Sequence, residues 1–174
     1  MDRVPYAELV AECSRVLEAR GFAPERARLA ARVFADNTCD GVPSHGLNRF
    51  PGFVRDIDSG RVDPSAEAEC VGSFGTLEQW DAHRGPGVLT ATAAMTRAVE
   101  LARESTIGCV ALRNANHWMR AATYGLQAAA AGCLAVCWTN TTRLMPPHGS
   151  AEKRIGNNPL CMAVPVADGD TVLL

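Results

Sequence analysis

The stretch IGCVALRNANHWMRAATYGLQAAAAGCLAVCWTN, residues 107–140, decides the fold class. Its opening, IGCVALRN, is a short apolar run that is typical of a buried β-strand. The alanine-rich part that follows predicts a helix that stops at Gly132, because glycine readily adopts the left-handed conformation after a last helical turn. CLAVCWTN then predicts a second strand. A strand, a helix and a strand in succession indicate an α/β protein.

The alternation of strands and helices continues on both sides of this stretch. CVGSFG (70–75) predicts a strand, and apolar residues at helical spacing after a Gly-Pro-Gly break predict a helix over about 88–104. On the other side, NPLCMAVPVADGDTVLL (158–174) predicts two strands joined by a turn at Asp168-Gly169. The sequence stops within the second of these apolar strands, which is unusual for a natural C-terminus. We therefore expect a truncated chain.

Three amphipathic helices are predicted in the first sixty residues. One covers residues 5–20, the second begins with Pro24 in its first turn, where a missing N–H costs nothing, and the third covers 47–60. A polar linker follows. The sequence thus predicts a helical cap over 1–62 and an incomplete α/β part over 70–174.

The composition is that of an ordinary globular protein and indicates no polyanionic partner. Of 174 residues, 47% are hydrophobic and 21% are charged, and the formal net charge is −2. This charge gives no reason to expect nucleic acid or a membrane surface as a partner, and no apolar run reaches transmembrane length. Seven scattered cysteines without a CxxC pair, and no signal peptide, predict a cytoplasmic protein with reduced thiols and no metal site. Cys133 and Cys137 are expected to face the core together from one strand.

Polar side chains cluster directly after two of the predicted strands, where α/β proteins often bind ligands. RNANHWMR (113–120) brings Asn116, His117 and Arg120 close together in sequence, and these types can bind hydroxyl, carbonyl and carboxylate oxygens, so all three are predicted substrate ligands. The asparagines are also expected to cap a helix that begins near Trp118. TNTTRLMPPHGSAEKRIGNNP (139–159) is the second cluster.

The segment SHGLNRF (44–50) is a turn that carries a histidine, or else a proton donor beside an anion-binding arginine. Histidine is a natural acid near neutral pH, because its ordinary pKa is about 6.5. Arg49 stands at the start of a predicted helix, whose N-terminus also favours anions. The usual nucleotide and hydrolase signatures, GxGxxG after a strand, GxxxxGK[ST], GxSxG and HExxH, are absent from the sequence. A Rossmann nucleotide site is therefore not predicted.

Five motifs follow one another along the chain: GVPSHGLNRFPGFVRDIDSG (41–60), RNANHWMRAATYGLQAA (113–129), CWTN (137–140), MPPHG (145–149) and RIGNNPL (154–160). In this order they resemble the LDH2/MDH2 oxidoreductase family, the second, non-Rossmann family of malate/lactate dehydrogenases. The combination is most similar to its 2,3-diketo-L-gulonate reductase branch. The resemblance covers essentially the whole chain, and it implies an α/β fold in which a helical cap precedes a mixed sheet with flanking helices.

The resemblance also implies a function. It predicts a cytoplasmic homodimer that uses NADH, or NADPH, to reduce a 2-oxo acid or an analogous imine. It makes His45 the proton donor, Ser44 the hydroxyl beside it and Arg49 the ligand of the substrate carboxylate, with His117 lining the same cleft. That cleft is expected between the helical cap and the α/β part. The cofactor-lining candidates are Thr139, Asn140, Pro147, Gly149 and Asn158.

Several alternatives stay open. His148 stands in PPHG where the diketogulonate branch tends to have a bulkier aromatic residue, so a malate/lactate-type or imino-acid reductase is also possible. Family chains continue through a segment that supplies a catalytic aspartate and most dinucleotide contacts, and we therefore expect residues 1–174 alone to be inactive. A non-catalytic fragment, or a small-molecule binding module without redox activity, is the rival from another class.

Overall fold

A computed structural model describes residues 3–167 and 169–174. These residues divide into two compact units, a first that ends at Arg120 and a second that covers Ala121–Leu174. Within the described residues, no helix is long and apolar enough to cross a bilayer. The α/β class is confirmed, whereas the division into 1–62 and 70–174 stays a prediction.

Three helices open the first unit, and they enclose its core. They are α1 (Tyr6–Glu18), α2 (Pro24–Cys39) and α3 (Phe50–Asp58), as the sequence predicts. Proline stands in the first turn of both α2 and α3, where its missing N–H leaves no helical hydrogen bond unmade. The apolar faces of the helices meet around aromatic rings: Phe34 packs edge-on against Phe50 and is tilted against Phe53. This core anchors the α2–α3 connection.

A small mixed sheet completes the first unit. Its strands are β1 (Glu69–Phe74), β2 (Leu77–Asp81) and β3 (Cys109–Arg113), in that order. The β1 and β2 strands pair antiparallel, whereas β2 and β3 pair parallel, with α4 (Gly87–Ser105) as the crossover helix between them. Because β2 and β3 run parallel, the segments that follow Asp81 and Arg113 leave the sheet at the same end.

The second unit consists of one helix, α5 (Ala121–Ala130), and an antiparallel sheet of β4 (Ala135–Trp138), β5 (Leu160–Pro165) and β6 (Thr171–Leu173). The helix ends as predicted in a left-handed Gly132, with the N–H groups of Gly132 and Cys133 donating to the carbonyls of Ala129 and Ala128. The predicted strand pair at the end of the chain is confirmed. Asp168 of the turn between these strands lies outside the described residues.

Two local predictions are wrong. The asparagines do not cap a helix near Trp118: α5 begins at Ala121, and the Asn116 amide donates to carbonyl groups instead of accepting from helical N–H groups. Cys133 does not share a strand face with Cys137, because the closing turn of α5 includes Cys133 and β4 starts only at Ala135. Cys137 alone of the two is fully buried.

Candidate active site

Two histidines from distant parts of the chain face each other in the first unit. His45 ends a short 3-10 helix in the α2–α3 connection, and His117 lies in the segment that follows β3. Their ring centroids are 5.9 Å apart, and the ring planes are inclined by 31°. The structure thus brings together the two histidines that the sequence proposes for one cleft.

The last turn of α2 holds the His45 backbone in place. The Asn37 amide, which is fully buried, donates to the His45 carbonyl at 3.1 Å, and the Thr38 hydroxyl accepts the Leu47 N–H at 2.8 Å. A Cβ on Gly46 would lie 2.3 Å from Thr38 Oγ1, so the loop approaches α2 this closely only with glycine at that position. Asn37 and Thr38 were not predicted as part of the site, because their roles depend on the path of this loop.

The hydrogen bond of His45 leaves one ring nitrogen available. Ser44 Oγ lies 3.0 Å from His45 Nδ1, so the two side chains hydrogen-bond and fix the orientation of the ring. Among the described residues, Nε2 has no hydrogen-bond partner. His45 is half-buried and Ser44 is exposed, so the pair lies at the surface of the first unit. The nitrogen that could pass a proton to a ligand is therefore Nε2.

The backbone decides the tautomer of His117. The Met119 N–H donates to His117 Nδ1 at 2.9 Å, so a neutral His117 ring carries its proton on Nε2. Desolvation of the ring, the positive charge of Arg49 and the proximity of His45 lower the pKa of His117 below its ordinary value, while Asp56 opposes them. His117 thus offers one N–H donor without carrying a charge at neutral pH.

Close backbone packing fixes the segment that carries His117. The Asn116 amide donates to the carbonyls of Arg84 and Gly85 at 2.6 and 3.1 Å, and to that of Arg61 at 3.2 Å. A Cβ on Gly87, the first residue of α4, would lie 2.2 Å from the Asn116 carbonyl oxygen. The Asn116 side chain therefore hydrogen-bonds its own loop to the 84–85 turn. The sequence position of Asn116 did not indicate this role.

Left-handed backbone is concentrated around the ends of β2 and β3. His83, Arg84, Asn114 and Met119 all have positive φ, between 47 and 67°. Residues other than glycine adopt this conformation at a cost, and such residues are enriched at functional sites. The Asp81 carboxylate holds this turn together: it accepts the His83 N–H and the Asn114 amide, at 2.9 and 2.8 Å.

The two arginines proposed as substrate ligands differ in their environment. The Arg120 guanidinium pairs with the Asp40 carboxylate and is largely shielded from solvent. Arg49, at the start of α3, is exposed and makes no ion pair with any described residue. Its charge acts on His117, which places it on the same side of the first unit as the histidine pair. Arg49 is thus the cation that remains available to an anion.

The cofactor-lining candidates all lie in the second unit, in the long loop between β4 and β5 (residues 139–159), which we call the β4–β5 excursion. Thr139 and Asn140 directly follow β4, and the Asn158 side chain accepts the Thr141 N–H at 2.9 Å, so these three positions lie at one end of the sheet. Pro147 and Gly149 lie further out, in a turn beyond the paired Met145 and Ile155, which the sequence did not predict. The candidates therefore form two groups, one at the base and one at the tip of the excursion.

The sequence model of the malate/L-lactate dehydrogenase family matches residues 4–174. The chain belongs to this family. The family assignment that the five motifs indicate is therefore confirmed, and with it the non-Rossmann fold type.

Three known proteins illustrate this membership. The 2,3-diketo-L-gulonate reductase of Escherichia fergusonii is 52% identical over 163 residues, which are 94% of this chain and 49% of that protein. Malate dehydrogenase from Pyrococcus horikoshii superimposes with a TM-score of 0.94 at 32% identity, over 99% of this chain and 49% of that one. Δ1-Piperideine-2-carboxylate reductase from Pseudomonas syringae superimposes with a TM-score of 0.91 at 26% identity, over 99% of this chain and 52% of that one. The chain spans about half the length of the curated relatives it matches.

Within this family, the motif residues of the first unit now have defined surroundings. His45 and His117 form the ring pair, Ser44 orients one ring, and Arg49 supplies an unpaired positive charge. Asn116 and Arg120 are engaged in contacts with the protein itself. The arrangement can bind an anion and exchange a proton.

Proposed function

We propose that the protein is a reductase of a 2-oxo acid, with a substrate of the 2,3-diketo-L-gulonate type, and that it uses NADH or NADPH. The observation that carries the proposal is the unpartnered Nε2 of His45 opposite His117, with unpaired Arg49 acting on the same pair. A 2-oxo acid offers the two groups that such a site would bind, a carboxylate and a carbonyl oxygen. The names of the curated relatives support this substrate class.

Arg49 binds the substrate carboxylate, because a guanidinium makes two parallel hydrogen bonds to the two carboxylate oxygens. This fixes the adjacent carbonyl relative to the histidines. His45, when protonated, donates from Nε2 to the carbonyl oxygen as that oxygen gains negative charge. The Ser44 hydroxyl keeps the ring in the donating orientation through Nδ1.

His117 acts as an uncharged hydrogen-bond donor. Its Nδ1 is occupied by the Met119 N–H, so Nε2–H is the group that it presents to the ligand. A lowered pKa keeps the His117 ring neutral, so the ring pair avoids two adjacent positive charges. The two histidines are therefore assigned different roles: His45 transfers a proton and His117 orients the acceptor.

The second unit supplies groups that fit a nicotinamide dinucleotide. The Thr139 hydroxyl and the amides of Asn140 and Asn158 can hydrogen-bond ribose and carboxamide oxygens. Arg143 and Lys153, both exposed and without an ion pair in the described part of the chain, can bind phosphate oxygens. Pro147 and Gly149 shape the tip of the same excursion. When bound, the reduced nicotinamide supplies the hydride that the carbonyl carbon receives.

The proposal includes a homodimer in the cytoplasm, with a small 2-oxo acid as substrate. These three statements follow from the family resemblance. Neither a nucleic acid nor a membrane is proposed as a partner, consistent with the near-neutral charge.

The test is an oxidation assay on the full-length gene product that contains residues 1–174. NADH and NADPH are each offered with 2,3-diketogulonate, pyruvate, oxaloacetate and Δ1-piperideine-2-carboxylate, and cofactor absorbance is followed. Turnover that is fastest with 2,3-diketogulonate supports the proposal. If only the cyclic imine is reduced, the substrate is an imino acid and not a 2-oxo acid. If no combination of cofactor and substrate gives turnover, the reductase function is refuted.

A further inference from the structure

The Asp40–Arg120 ion pair joins the two segments that carry the histidines. Asp40 directly follows α2 and stands at the start of the loop that contains His45. Arg120 ends the segment that follows β3 and contains His117. The two residues are 80 positions apart in the chain, and their side chains are in direct hydrogen-bonded contact.

We propose that Asp40 and Arg120 are a positioning pair that sets the separation and the tilt of the His45 and His117 rings. The role rests on the proposed function, because it matters for turnover only if the two rings act on one substrate. Arg120 was expected to bind substrate. With its guanidinium committed to Asp40, it acts through the histidines and leaves the substrate carboxylate to Arg49.

The hydrogen bonds described above for the two histidine segments lead to different elements. Asn37 and Thr38 tie the His45 loop to α2. Asn116 ties the His117 segment to the carbonyls of Arg84 and Gly85. The Asp40–Arg120 contact instead links one loop to the other, so it can fix the distance between the rings directly.

The solvent exposure of the Asp40 and Arg120 side chains helps to distinguish a positioning role from a purely stabilising role. The Arg120 side chain is 19% exposed and the Asp40 side chain is 47% exposed. Because the Asp40 side chain is about half exposed, the pair stabilises the fold less than a fully buried ion pair would. Displacing a reacting group by about 1 Å, in contrast, can lower a rate by about a hundredfold. Loss of the pair should therefore lower turnover and change ring geometry beyond what any loss of thermal stability accounts for.

The experiment compares Asp40→Asn, Arg120→Gln and the charge-swapped Asp40→Arg/Arg120→Asp variant of the full-length gene product. Histidine-selective isotope labelling, with His45→Gln and His117→Gln variants to assign the signals, identifies the ring protons of these two histidines. The two single variants should lose the nuclear Overhauser contact between the His45 and His117 rings. Their kcat should fall about tenfold to a hundredfold, with an unchanged KM for the cofactor. The swapped variant should regain the ring contact and at least part of kcat.

The matched control is Glu100→Gln, which removes a similarly exposed ion pair with Arg97 on α4, away from the histidine segments. It should change neither the ring contact nor kcat. Single variants that keep both the ring contact and wild-type kcat would overturn the positioning role, as would a swapped variant that recovers neither. If the unmodified protein reduces no 2-oxo acid, the proposed function fails, and the ring contact alone then decides the role of the pair.

Discussion

Gly87→Ala is the substitution that should displace His117 most directly. An ideal Cβ at position 87 would lie 2.2 Å from the carbonyl oxygen of Asn116 and 2.4 Å from that of His117. Real Cβ atoms essentially never approach another heavy atom within 3.0 Å, so the difference between 3.0 and 2.2 Å, about 0.8 Å, is the smallest displacement that relieves the contact. Both opposing atoms belong to the backbone, and neither can rotate away.

The displacement moves the segment that carries His117 away from α4. A shift of this size is expected to lower kcat by roughly tenfold to a hundredfold, since proton transfer and substrate orientation depend steeply on distance. Overpacking of this kind also lowers the free energy of unfolding, by about 1–3 kcal/mol. The thermal transition should remain cooperative, which separates displacement of the loop from loss of the fold.

The assay measures kcat in cofactor oxidation, the thermal transition by circular dichroism, and the contact between the His45 and His117 rings by NMR. Gly72→Ala is the control, because a Cβ on Gly72 in β1 would meet its nearest atom, Gln79 Oε1, at 3.9 Å, an ordinary contact. It should leave kcat and the ring contact unchanged. A Gly87→Ala protein with wild-type kcat and an undisturbed ring contact would show that the position of His117 does not govern turnover.

Three further predictions concern other groups. Arg49→Lys should raise the KM for the oxo acid about tenfold while the cofactor KM stays constant, because an ammonium cannot make the paired hydrogen bonds of a guanidinium; an unchanged KM for the acid would remove Arg49 from the carboxylate site. The pKa of His117 is lower in the folded than in the unfolded state, so the folded protein should lose stability as pH falls below about 6.5, and unfolding measured across pH should show a weaker loss for His117→Asn. An equal loss in both proteins would contradict this. A chromogenic thiol reagent should modify the exposed Cys39 and Cys70 at once, and Cys137 only after unfolding, because burial raises its pKa to about 11; rapid labelling of Cys137 in the native protein would be inconsistent with its burial.

Local sequence signals were sufficient to predict most elements of the fold. Pro24 in a first turn and Gly132 after a last turn mark real helix ends, because proline and glycine act through their own backbone geometry. The apolar run of β3 and the pair of strands at the end of the chain could be predicted for the same reason. The division of the strands into two sheets was not predicted, because sequence periodicity does not indicate which strands pair.

The candidate site was predicted in part. Motif resemblance pointed to His45, Ser44, Arg49 and His117, and the structure places them around one ring pair. The contacts that position these residues were not predicted, since they connect residues far apart in the chain. Asp40 had no visible partner in the sequence, because Arg120 is 80 positions away.

Asn116 shows a second limit of sequence analysis. An asparagine amide can cap a helix, bind a ligand or donate to backbone carbonyls, and only the path of the neighbouring loop decides among these roles. The left-handed turn at His83 and Arg84 directs carbonyl groups at the Asn116 amide, and no propensity predicts that turn for these residues.

His45→Ala tests most directly whether His45 donates the proton to the substrate carbonyl oxygen. The measurement is kcat for cofactor oxidation by the full-length gene product at saturating substrate, with cofactor affinity determined separately by fluorescence titration. We predict that kcat falls by roughly 10²–10⁴-fold, the usual contribution of one positioned acid, and that cofactor affinity barely changes. A His45→Ala protein that retains wild-type kcat would contradict the account.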